Sequence, residues 1–234
     1  MAPSPGVGKA APPLLSPATI SYIAPFVAFL GFLALHQAVA LPDLVEQILC
    51  LAGVSLVLLL VSRRVIDFRV RNAGGTVLIG LAVFAIWIAP DRLIPGYRDY
   101  WLFSNGITGH AKAGISVASR ASASVLWLRA IRASVLVPIL EELFWRAWML
   151  RWLIRPDFEN VPLGTYSRNA FWIVAVLFAA EHGPYWEVGL ICGVIYNWWM
   201  IRTKSLGDLI LAHAVTNGVL SAYVVFADKW EYWA

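Results

Sequence analysis

The 234-residue chain is 60% hydrophobic, has a mean hydropathy of +0.70 and carries charge on only 14% of its residues, against about 25% in soluble domains. These values exclude an ordinary soluble domain and point to one α-helical membrane domain with room for six to eight spans of about 20 residues each. The net charge of +4 comes without a lysine-rich patch, so it bears on membrane orientation and no nucleic-acid partner is expected.

Residues 1–18 contain Pro3, Pro5, Pro12, Pro13 and Pro17 and a single basic residue, Lys9. A short disordered tail is expected there, because the prolines break any helix and the segment makes a poor signal peptide. Residues 19–234 then read as one all-α transmembrane domain, a polytopic helix bundle. The first three spans fall at about 20–40, 45–61 and 76–89, with Pro42 and Pro90 as boundary residues. Residues 91–125 mix Gly, Ser and Ala with Trp101, Phe103 and scattered charges, which suits a loop with an interfacial helix. A long helical pattern covers about 122–154. Its buried part is expected to start near Ala133, since Arg129 and Arg132 belong at the interface.

A polar loop at 155–169 contains Pro156 and Pro162. A short span at 169–182 stops at Gly183-Pro184, and two further spans follow at about 186–201 and 206–227. Trp230, Tyr232 and Trp233 read as an aromatic belt at the water boundary. The count is seven spans. With the N-terminus inside, the inside segments collect ten Lys and Arg residues and the outside segments at most seven. The Arg63–Arg71 cluster marks a cytoplasmic loop most strongly. Cys50 and Cys192 lie in apolar runs without metal-site spacing, so neither a disulfide framework nor a metal or other cofactor is expected.

Three short patterns interrupt the apolar segments. Glu141-Glu142 is followed by Arg146, Phe178 by His182, and His213 by Asn217. Ionisable groups inside spans are costly and by default mark a working site. Adjacent residues on a helix point about 100° apart, so Glu141 and Glu142 face different surfaces. Glu142 and Arg146, four apart, can pair on one face. Each pattern alone also has a plain structural reading. Glu142–Arg146 fits an ion pair, His182 an interfacial residue before a turn, and His213 and Asn217 interhelical hydrogen bonding. Phe178 fits core or pocket wall, and the role of Glu181 beside His182 stays open.

The ordered set EE-x-x-x-R, F-x-x-x-H and H-x-x-x-N on successive apolar segments resembles the CAAX prenyl endopeptidase and bacteriocin-processing (CPBP) family of intramembrane glutamic proteases. The resemblance covers about residues 133–227. Residues 137–146 also resemble a bacterial branch associated with exosortase sorting systems. The resemblance implies a multi-pass protease of the bacterial inner membrane, acting on a membrane-embedded or lipid-anchored peptide or protein. It implies that Glu141 activates water, that Glu142 and Arg146 support it, and that His182 helps hold the water. It further implies that His213 and Asn217 stabilise the oxyanion, with Phe178 in the substrate pocket. Two other readings stay open. One is a zinc protease, although no H-E-x-x-H places two ligands on one helix turn. The other is a non-catalytic scaffold, immunity or partner-binding protein on the same fold.

Overall fold

The computed structural model describes residues 16–39 and 41–233. Helix α1 (Pro17–Ala38) starts where Ser16 accepts the backbone N–H of Thr19 at 3.1 Å. Proline at the first helical position removes an N–H that has no partner there. The helix therefore begins two residues inside the tail expected at 1–18, whose residues 1–15 lie outside the described residues. Helix α2 (Asp43–Ser62) opens with Asp43 and Glu46 in its first turn, where carboxylates suit the helix dipole. Helix α3 (Ala73–Leu93) is capped by Asn72, which accepts Gly75 N–H at 3.1 Å. Pro90, expected as a boundary, sits inside its last turn. Only one ladder bond is lost there, and the Pro90 carbonyl still accepts Ile94 N–H at 3.0 Å.

A short helix α4 (Val117–Arg120) lies in the mixed region and precedes α5 (Ala123–Trp152), the long helix with the first motif. Helices α6 (Arg168–Ala180), α7 (Trp186–Thr203) and α8 (Leu206–Phe226) complete the molecule. The described residues form an all-α bundle. Five helices (α1, α2, α3, α5 and α8) are long and apolar enough to cross a membrane. The other two of the seven expected spans differ in kind. At 1.5 Å per residue the 13-residue α6 is only about 20 Å long, and α7 carries Glu187, Asn197 and Arg202. Large apolar side chains point outward: Leu60 is 72% exposed, Leu78 67% and Trp127 70%. Such an exterior suits lipid rather than water.

The chain runs up and down, so its connections gather at two ends. At the first end Arg98 donates to the Pro184 carbonyl, Trp186 to that of Leu102, and Gly114 N–H to that of Trp233. At the second end Ser205 donates to the Arg69 carbonyl and Arg151 to that of Val161. Buried Asp208 ties α3 to α8 there. Its carboxylate accepts Arg71 N–H at 2.9 Å, Asn72 N–H at 3.0 Å and the Thr76 hydroxyl at 2.6 Å. One charge thus serves the starts of two helices.

Helices α3 and α8 pack along their length, α6 lies against α7, and α5 runs between α8 and α1. The α3–α8 contact needs glycine at position 80. A Cβ there would stand 2.6 Å from the Ala212 carbonyl oxygen and 2.8 Å from Val215 Cβ. The close approach lets Thr216 donate to the Gly80 carbonyl at 2.9 Å.

Candidate active site

Helix α5 is not a regular α-helix around its glutamates. Residues Arg132–Leu136 and Leu143–Met149 wind as π turns on either side of Glu141-Glu142. Pro138 explains the first of these. It has no N–H and its ring crowds the preceding turn, and a wider turn just before it relieves that crowding. π turns inside α-helices concentrate at functional sites.

Glu142 points into the protein and is fully buried. Its Oε1 accepts from Arg146 Nη1 at 3.1 Å and from His213 Nδ1 at 2.8 Å. Arg146 is also fully buried, and its Nε donates to Asn197 Oδ1 at 3.2 Å. Asn197 is fixed in turn by donating to the Phe171 carbonyl at 2.9 Å. The guanidinium lies 4.2 Å from the centre of the Phe178 ring and 5.4 Å from that of Tyr196, so aromatic faces cover what hydrogen bonds leave over. A buried charge of this kind persists only when paired and hydrogen-bonded.

Glu141 faces the other way, into a cavity of about 260 Å³. His182, His213, Asn217 and Phe178 line the same cavity. Glu141 is 8% exposed and its Oε2 has no hydrogen-bond partner. His213 Nε2 stands 4.0 Å from that oxygen, too far for a direct hydrogen bond. Hydrogen-bond partners assign the imidazole protons. His213 Nδ1 faces a carboxylate and so donates, which turns Nε2 to the cavity. His182 Nδ1 lies 2.6 Å from the Phe178 carbonyl oxygen, which can only accept, so its Nε2 also stays available. The 13-residue length of α6 places this histidine below the ends of its longer neighbours. Gly189 of α7 makes room for the ring, since a Cβ there would come within 3.2 Å of it. Asn217 donates one amide proton to the Ala133 carbonyl at 2.9 Å, which leaves its second proton for another acceptor.

The seven residues singled out from the sequence therefore divide into two layers. Glu141, His182, His213, Asn217 and Phe178 line the cavity, while Glu142 and Arg146 lie behind it. Sequence reasoning missed several further members. Asn197 is a polar residue within the apolar run of α7, which is a usable signal. Tyr196 lines the cavity and shares a 2.7 Å hydrogen bond with Thr216. Glu181 accepts the Trp145 indole N–H at 3.0 Å and so joins α5 to the α6–α7 turn. Trp87, Tyr232 and Trp233 close the cavity on the side of the first end. Trp230 and Trp233, expected at the water boundary, are instead buried at 8% and 6% exposure. Their segment folds back because Trp233 O accepts from both Arg129 Nη2 and Gly114 N–H. Among the described residues no group of three or more His, Cys, Asp or Glu side chains is placed to hold a metal ion.

Fold and site together define a polytopic membrane protein with carboxylate, imidazole and amide groups around an internal cavity. Residues 123–219 match the family model described as Rce1-like, type II CAAX prenyl endopeptidase Rce1-like, and this match supports the resemblance of that segment to the CPBP/CAAX protease family. At the level of the family, the match supports a CAAX-type intramembrane protease. No curated protein and no solved structure matches the chain.

Proposed function

We propose that the chain is an intramembrane endopeptidase that cleaves a membrane-embedded or lipid-anchored peptide or protein with a water activated by Glu141. The observation that carries this reading is the shared cavity, in which an unpartnered Glu141 oxygen meets His182, His213 and Asn217. Glu141 takes a proton from water as the water oxygen bonds to the scissile carbonyl carbon. Nε2 of His182 helps to position that water. The carbonyl oxygen becomes an oxyanion and accepts from the free amide proton of Asn217 and from Nε2 of His213. For His213 to donate there, its ring must carry both protons, a charge that the developing oxyanion offsets, since Glu142 already pairs with Arg146. Collapse of the tetrahedral intermediate breaks the carbon–nitrogen bond, and the proton held by Glu141 passes to the leaving amine. Arg146 and Asn197 act through Glu142 as positioning residues.

The natural setting of this reading is a bacterial inner membrane, and the test is best made there. Membranes carrying wild-type or Glu141→Gln protein at matched levels are compared for new protein termini. Candidate substrates are then cleaved with purified, reconstituted enzyme. The expected result is a set of termini seen only with wild type, and cleavage that survives chelation in metal-free buffer. Identical termini with both proteins, under conditions where the protein is needed, would move the assignment to the scaffold. Cleavage lost to a chelator and restored by zinc would move it to the metalloprotease.

A further inference from the structure

The cavity has a closed inner limit and an outer limit made of side chains from the first end. Its inner side rests on Glu142, Arg146 and Asn197, all fully buried. Its outer side is covered by Tyr232 and Trp233. Both lie outside the segment matched by the family model, which ends at residue 219. Of these two limits, the outer one can be opened without displacing a buried ion pair.

Surface charge distinguishes the two ends more sharply than the sequence does. At the second end, Arg63, Arg64, Arg69 and Arg71 of the α2–α3 connection are all exposed. So are Arg155 and Arg168 beside the α5–α6 connection, and Arg202 and Lys204 before α8. That makes eight exposed basic residues. At the first end only Arg92 and Lys112 are exposed among the described residues. Most of the other cations there turn inward. Arg98 pairs with Asp91 and Glu187 at 2.8 and 2.7 Å, and Arg132 with Glu46 at 3.8 Å. Arg129 is held by two backbone carbonyls and Arg120 lies over the Trp230 ring, while Lys229, with a side chain 40% exposed, pairs at the surface with Glu231. Exposed Lys and Arg near span ends set orientation, because the cytoplasmic leaflet attracts each by about 1 kcal/mol. Cations that are paired or held against the protein present less charge to the leaflet than exposed ones do.

We infer that substrate reaches Glu141 from the face opposite the cytoplasm, past Tyr232 and Trp233. The substrate class is then a peptide segment that a membrane protein or lipid-anchored protein displays on its extracytoplasmic side. Val83, Trp87, Val137 and Leu220 line the passage with the two cover residues, so the stretch that enters is uncharged. The identity of the occupant rests on the endopeptidase reading; the side of approach does not.

The test uses the full-length protein in intact cells and a charged, membrane-impermeant maleimide. In a Cys50→Ser, Cys192→Ser background, Lys112→Cys reports the first end and Arg64→Cys the second. The expected result is that Lys112→Cys reacts on intact cells and Arg64→Cys only after permeabilisation. The reverse pattern would overturn the inference. Cys192 lines the cavity and is 1% exposed, so it reports access to the site itself. With Cys50→Ser alone, Trp233→Ala should speed the external reaction of Cys192 on the order of tenfold, as removal of a cover shifts a local opening equilibrium. No change in that rate, or reaction from the basic side only, would refute the proposed path. Adding Glu141→Gln should leave these rates as they are. A protein that labels as expected yet cleaves nothing separates a failure of the endopeptidase reading from a failure of this one.

Discussion

At the residue scale, Arg146 shows why a charge can remain in the middle of a membrane protein. It is fully buried, and its Nη1 and Nε donate to Glu142 and Asn197. Glu142 in turn holds Nδ1 of His213, so the ion pair fixes the orientation of an imidazole that faces the cavity. The buried pair is weak evidence for net stability, but breaking it leaves an uncompensated charge. Arg146→Ala is expected to destabilise the protein by about 3–5 kcal/mol, read as a lower thermal midpoint in detergent and a poor yield of inserted protein. A Glu142→Gln, Arg146→Met double variant should recover most of that stability and none of the activity, because a neutral amide replaces the carboxylate that faces His213 Nδ1. A normal midpoint for Arg146→Ala would contradict the ion-pair account. Glu142 and Arg146 thus lie behind the cavity, whereas Glu141 opens onto it.

At the element scale, the placement of His213 depends on how closely α8 approaches α3. Gly80 permits that approach, and Thr216 uses it to bond the Gly80 carbonyl and the Tyr196 hydroxyl. Gly80→Ala places a methyl group against the Ala212 carbonyl, next to His213. Overpacking of this kind costs about 1–3 kcal/mol, and the shift of α8 should lower turnover more than a surface substitution of equal stability cost. Unchanged turnover and an unchanged thermal midpoint would show that the two helices yield without moving the site. Helix positions were largely legible in the sequence. The apolar runs predicted at 45–61 and 206–227 correspond to Asp43–Ser62 and Leu206–Phe226, since length and hydropathy decide both. The cluster that forms the candidate site was legible where a polar residue interrupts an apolar run, as at Glu141, Glu142, Arg146, His213 and Asn217. It was not legible where the contact joins distant segments. Nothing local to Trp233 announces that its carbonyl will find Arg129, 104 residues away, and so the aromatic cluster reads as a belt until the fold turns it inward.

At the scale of the whole molecule, the first end is held together by a small number of polar contacts that converge on Arg98. Its Nε meets Asp91, its Nη1 meets Glu187 and the Pro184 carbonyl, and its guanidinium lies 4.2 Å from the Tyr185 ring centre. Asp91 also accepts the Tyr232 hydroxyl at 2.8 Å, and Tyr185 donates to the Glu231 carbonyl at 3.2 Å. Burial and the Asp91 carboxylate together hold the Tyr232 phenol well above its ordinary pKa, so it remains a donor at any physiological pH. One arginine therefore links the end of α3, the loop after it, the α6–α7 turn and the segment that covers the cavity. Arg98→Ala leaves Asp91 and Glu187 without their cation in a partly buried setting. The expected loss of stability is smaller than the about 3–5 kcal/mol of a fully buried pair, because all three side chains keep some exposure. The sharper consequence is local. With Asp91 no longer held, Tyr232 loses a fixed acceptor and the cover should open more often, raising the rate at which Cys192 reacts with a thiol reagent. Global unfolding would raise the reactivity of buried Cys50 in parallel, since Cys50 lies away from this end's cover on α2. A rise at Cys192 with Cys50 unchanged therefore identifies Arg98 as the residue that holds the cover, and a parallel rise at both would reduce it to a general stabiliser of the bundle.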